Sequence, residues 1–119
     1  MEKIVIISTK GPHDPETATI AFVMAAAAQT NDYAVTVILQ SDAVWLAKKG
    51  EVEKIHAPAL MPLAELMNNF LGQNGQLMLC SPCLKERNIG KDDLIDNSTI
   101  IAAGTVIDEI TSAKAVLTY

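Results

Sequence analysis

The sequence predicts an α/β domain in which a parallel sheet carries helices on both faces. Three observations lead there. Short β-branched runs such as Ile4-Val5-Ile6-Ile7 lack polar alternation, as strands covered on both faces do. Segments with helix-start signals and helical apolar spacing lie between such runs. The two kinds of segment alternate from end to end, which is the pattern of βαβ units with right-handed crossovers.

Taken in order, Lys3 to Thr9 reads as a buried strand and Gly11-Pro12-His13-Asp14 as a loop. Asp14-Pro15-Glu16 starts a helix: Asp caps it, Pro occupies the first helical position, and Glu complements the dipole. That helix runs to about Gln29 and is apolar nearly all round, so it is expected to meet the sheet on one side and a second subunit on the other. Tyr33 to Leu39 is a second buried strand. Ser41-Asp42 is expected to cap a short helix holding Val44, Trp45 and Leu46, ending at Gly50. A helix from about Pro62 to Leu71 places Leu63, Leu66, Met67 and Phe70 at helical spacing. Gln76 to Leu79 is a third strand, with Cys80 at its end. Ser81-Pro82 opens a helix, and Lys91 to Ile95 forms a further turn. Thr99 to Ala102 then reads as strand, Thr105 to Ser112 as helix, and Ala115 to Thr118 as the last strand.

The 119 residues form one domain, long enough to bury a core without staples. Net charge is −5 and the nine basic residues are scattered, which argues against nucleic acid as a partner. The opening apolar run, Ile4 to Ile7, is about half the length a secretory signal needs. The stretch Ile20 to Ala28 falls short of the roughly 20 residues of a membrane span. A cytosolic, membrane-free location is therefore expected. In a reducing compartment, two cysteines are read as reactive or metal-binding before they are read as a disulfide.

Those cysteines are Cys80 and Cys83, spaced C-x-x-C across a strand-to-helix turn. Ligands of open parallel sheets bind beyond the carboxyl ends of the strands, where Cys80 stands. Ser81 fits the cap and Pro82 the first helical position, so Cys83 lies in the first turn. Free amides and the positive dipole end there are expected to favour thiolate and lower the pKa. The alternative is two thiols that only pack. A thioredoxin-type dithiol lacks its downstream proline, since none follows Pro82. Zinc needs four ligands, and only His13 and His56 could join the cysteines, without the spacing of a structural site. Neither a metal nor a cofactor is expected.

The loop Lys10-Gly11-Pro12-His13 shares the rim with Cys80 and is a candidate ligand-binding segment together with Ser81. His13 could move a proton or hold an anion, and Lys10 could stabilise a thiolate; the alternative for each is an ordinary solvated side chain. The loop is no phosphate cradle, because it has neither glycine-rich signature. Lys85, Glu86 and Arg87 read as a solvated helix face. The apolar first helix and the stretch Ala57 to Phe70 suggest assembly into a homo-oligomer, although methionine-rich faces also fill cores.

Several stretches, in this order, resemble the DsrE/DsrF-like family of small sulfur-relay proteins. They are Ile4-Val5-Ile6-Ile7 with Gly11-Pro12-His13-Asp14-Pro15 and an alanine-rich helix; Val35 to Leu39; Asp42 to Gly50; Cys80 to Ile89; and Ala113 to Tyr119. The resemblance implies a five-stranded parallel α/β/α domain, a variant of the flavodoxin-like fold, assembled as a trimer or hexamer. It implies a persulfide on Cys80, with Cys83 matching a second cysteine present in part of the family. Ala43 and Asn88 stand where the family often has glycine; Asn adopts the same left-handed conformation. The resulting reading is a sulfur carrier that takes sulfane sulfur from a donor protein and passes it to an acceptor. The alternatives are a Cys80–Cys83 redox switch without sulfur transfer, and a non-catalytic oligomeric binding module.

Overall fold

The computed structural model describes residues 1–119. Its regular elements are β1 Lys3–Ser8, α1 Pro15–Thr30, β2 Ala34–Leu39, α2 Leu63–Gly72 and β3 Gln76–Cys80, followed by α3 Ser81–Glu86, β4 Ser98–Ile101, α4 Ala103–Thr111 and β5 Ala115–Thr118. Short 3-10 segments, Ser41–Ala47, Val52–Lys54 and Lys91–Asp93, fill the longer connections. No helix is long and apolar enough to cross a membrane.

The five strands are all parallel and lie in the order β4-β3-β2-β1-β5. In flavodoxin the place beside the first strand that β5 takes here belongs to the second strand. This order decides the layers. Three successive crossovers step the same way across the sheet, from β1 to β2 to β3 to β4. Right-handed crossovers then put α1, α2 and α3 on one face. The last crossover returns past β1 to β5, which puts α4 alone on the other face.

Burial follows that division. Ile6, Val35, Val37, Leu39, Leu77 and Leu79 point to the face of α1, α2 and α3, within a core of 23 buried residues. Val5, Ile38 and Ile101 point the other way, against Val106 of α4, in a core of only four. One face therefore carries most of the apolar burial, and α4 is the lighter cover.

The first helix starts as its sequence requires, with the Asp14 carboxylate accepting from the Thr17 amide at 3.2 Å. One flank of it meets α2, where Phe22 and Phe70 pack edge to face with ring centroids 5.7 Å apart, while Met24 stays 36% exposed. The small side chains of Ala18, Ala21 and Ala25 are fully buried on α1 and leave room for that approach. Leu63, Leu66, Met67 and Phe70 are likewise buried in the chain's own core, whereas Met61, just before them, is 44% exposed.

Ser41-Asp42 does not cap a helix either. The segment is 3-10, Gln40 stands at its cap without a side-chain hydrogen bond, and Ser41 has φ +52°. The polar groups of both residues are turned toward α3 instead, as described below. The segment ends at Ala47, before Gly50, because the chain bridges to the loop ahead of β4: Ile95 donates to the Ala47 carbonyl and Lys49 to that of Asp93.

Candidate functional site: a thiol pair at the rim of the sheet

The connections after β3 and β4 leave toward opposite faces, α3 to one and α4 to the other. Adjacent parallel strands that part in this way open a crevice beyond their carboxyl ends. Cys80 is the last residue of β3, and Ile101, its register partner, is the last of β4. The crevice is an open cleft of about 250 Å3. Gln40, Cys80 and Pro82 form one side, and Ile101, Ala103 and Ile107 the other.

Cys80, not Ser81, is the residue that caps α3. Its backbone is extended (φ −67°, ψ 116°), while Ser81 is already helical and Pro82 is second in the helix. Proline lacks an N–H that neither of the first positions would use, so the shift by one residue costs nothing. Cys83 falls in the first turn, and its thiol reaches back to Cys80, Sγ to Sγ 2.9 Å. The Ser41 amide donates to Cys83 Sγ at 3.2 Å. Both cysteines are free and half-buried.

The Cys80 thiol is pushed above its ordinary pKa. Burial is the largest cause, followed by the hydrogen bond with the Cys83 thiol; the Cys83 amide pulls down, the Cys83 charge adds to the rise, and Arg87 also pulls down. This reverses the sequence expectation of a lowered value. The physical reason is that α3 is six residues long, and its free amides are outweighed by the lost hydration of a half-buried sulfur beside a second thiol.

Arg87 is the residue whose reading from sequence needs the largest correction. Lys85 and Glu86 are exposed as a solvated face should be, but the Arg87 side chain is only 20% exposed. Its Nε donates to Asp42 Oδ1 at 3.0 Å and a terminal nitrogen to the Cys83 carbonyl at 3.1 Å. The other terminal nitrogen reaches Ser41 Oγ at 3.4 Å. One guanidinium thus ties α3 to the segment after β2 and closes the end of α3 with a cation. The helix then stops in a Schellman turn: Ile89 donates to the Leu84 carbonyl, Asn88 to that of Lys85, and Asn88 has φ +54°.

The loop before α1 contributes differently from residue to residue. His13 Nδ1 lies 3.6 Å from Asp42 Oδ2, so its partner is the carboxylate and not a sulfur. It borders a separate hollow with Trp45 and Glu51. Lys10 is exposed and bonded to neither cysteine. Gly11 is buried, and a Cβ there would overlap the Asp42 carbonyl oxygen. Its lack of a side chain is what lets the loop lie against the Ser41–Ala47 segment. Ser81 is half-buried at the start of α3. The structure therefore brings together Cys80, Cys83 and the backbone of Ser41, with Arg87, Asp42 and His13 behind them in that order. Sequence reasoning missed Ser41, Asp42 and Arg87. The available signal was that Arg87 lies one helical turn after Cys83 and Ser41-Asp42 just past a strand end.

The sequence pattern of the DsrE/DsrF-like family matches residues 2–119. The chain belongs to that family. Among solved structures, this DsrE/DsrF-like chain is similar to the ychN protein from E. coli, with TM-score 0.82 and 25% identity over 100% of both chains. It shares the fold of a protein of unknown function from Methanobacterium thermoautotrophicum, TM-score 0.74 at 15% identity, again over 100% of both. An uncharacterized protein of Methanocaldococcus jannaschii is 28% identical over 108 residues, 91% of this chain and 39% of its own length. The DsrE/DsrF-like chain thus spans about two fifths of that relative. A second uncharacterized protein of the same organism is 26% identical over 118 residues, 98% of this chain and 99% of the other.

Proposed function

We propose that this DsrE/DsrF-like chain is a sulfur-relay protein that carries sulfane sulfur on Cys80. The observation that carries the reading is the direct contact of two free thiols at the strand-end crevice, 2.9 Å apart. Family membership points to the same type of protein.

In the loading step the Cys80 thiolate attacks the outer sulfur of a donor persulfide. A new S–S bond forms on Cys80, the donor's S–S bond breaks, and the donor leaves as thiolate. Passing the outer sulfur to an acceptor thiolate repeats this exchange. Cys83 is the resolving thiol: its thiolate attacks the inner sulfur of the Cys80 persulfide, closes a Cys80–Cys83 disulfide and releases hydrosulfide. A thiol reductant then restores both thiols. A homotrimeric or homohexameric assembly in the cytosol, with separate donor and acceptor proteins, belongs to this reading.

Mass spectrometry after incubation with a protein persulfide donor tests it. One added sulfur on the Cys80 peptide is expected, lost in Cys80→Ser and longer-lived in Cys83→Ala. Sulfur that still loads onto Cys80→Ser overturns the assignment.

The thiol contact also favours a second reading, a reversible Cys80–Cys83 switch without sulfur transfer. Equilibration in thiol buffers separates the two: a switch requires a potential within the cellular range, whereas a carrier loads sulfur whatever that potential is.

A further inference from the structure

The cleft beside Cys80 has a chemical character of its own. Its far wall is Ile101, Ala103 and Ile107, its near wall Pro82 and Cys80, and no charged residue lines it. Gln40 is its one polar side chain. Ile107 at the mouth is 57% exposed. The charged groups of the site lie elsewhere: Arg87 is held by Asp42, and His13 opens onto the other hollow. At about 250 Å3 the cleft is smaller than sites for drug-sized ligands and cofactors. It accommodates one compact apolar group.

We propose that this cleft is the binding site for the uncharged aliphatic or aromatic group attached to a substrate's sulfur, and that it selects apolar thiols and persulfides over charged ones at Cys80. The group lies between Pro82 and Ile107, and the sulfur it bears meets Cys80 Sγ at the cleft wall. A chain of net charge −5 adds a general bias against anionic substrates. The inference rests on Cys80 being the sulfur that meets the substrate. It does not need a persulfide to form.

Methanethiosulfonate reagents test this directly. The Cys80 thiolate attacks the reagent's sulfenyl sulfur, a mixed disulfide forms, and methanesulfinate leaves. Benzyl, sulfonatoethyl and trimethylammonioethyl reagents are compared on the Cys83→Ala chain, each rate divided by its rate with free cysteine. Peptide mapping of Cys80 in the unaltered chain replaces this if Cys83→Ala fails to fold. The benzyl reagent is expected to react about tenfold faster than either charged one, as burial of roughly two methylene equivalents gives. Ala103→Leu, at an exposed helical position, is expected to remove that advantage and leave the small methyl reagent unaffected.

Equal normalised rates overturn the proposal, as does a benzyl preference that Ala103→Leu leaves intact. A cleft filled by a second copy of the chain also gives equal rates in the assembled protein, and also overturns it. A chain that keeps the apolar preference but never loads sulfur leaves this assignment standing while the sulfur-carrier reading falls. The source of the apolar group is read by protection with probes that cannot react with the reagent: a small thioether such as benzyl methyl sulfide protects Cys80, or only a peptide with an apolar residue beside an S-methylcysteine does.

Discussion

Arg87 and Asp42 meet at 3.0 Å across the gap between the end of α3 and the segment after β2. The same guanidinium holds the Cys83 carbonyl, so one side chain sets the distance between the helix that carries Cys83 and the backbone amide that bonds its sulfur. Arg87→Gln should cost about 1 kcal/mol in denaturant unfolding, a figure kept low because Asp42 is 44% exposed. It should also raise the Cys80 pKa further, since Arg87 is one of the two groups pulling it down. Unchanged stability together with an unchanged Cys80 titration would remove Arg87 from the site.

The thiolate is the nucleophile, and burial together with the Cys83 thiol raises the Cys80 pKa. Alkylation of Cys80 should therefore speed up with pH and reach its midpoint above that of a free cysteine. Cys83→Ala removes the neighbouring thiol but keeps the backbone amide, so the midpoint should move down. The folded chain also holds this proton to higher pH than the unfolded chain does. Between the unfolded and the folded pKa, stability should fall as pH rises. A midpoint at or below the free-thiol value contradicts this account.

Gly11→Ala should destabilise the chain by about 1–3 kcal/mol, because the new Cβ has to displace the Asp42 backbone. The same displacement shifts Ser41, so the alkylation profile of Cys83 should change with it. Circular dichroism melts and peptide-resolved labelling read the two effects separately.

Phe70→Ala should cost about 3–5 kcal/mol in urea titration. Phe70 is fully buried and packs on Phe22, joining α2 to α1. A loss below about 1 kcal/mol, combined with a change in assembly state, would return this surface to a subunit interface.

β1 and β2 were legible because each is a short apolar run that is largely buried, and α1 because Asp14-Pro15-Glu16 is a strong local start signal. The positions of Cys80 at a strand end and Cys83 in a first turn were legible for the same local reason. What misled were groups whose partners lie far along the chain. Ser41-Asp42 resembles a helix cap until Arg87, 45 residues on from Asp42, takes its carboxylate. Arg87 resembles a solvated face until that partner is known. The Cys80 cap was displaced by one residue because the amide that proline lacks has no intrahelical partner at either of the first two helical positions.

By itself the sequence determined an alternating strand and helix order and two cysteines one turn apart. These follow from patterns spanning only a few residues, where backbone preference and side-chain period act locally. Tertiary structure alone decided the strand order, which puts α3 and α4 on opposite faces and so opens the cleft at Cys80. It also decided the direction of the Cys80 pKa, because burial and a neighbouring thiol act through space and depend on what the folded chain brings near that sulfur.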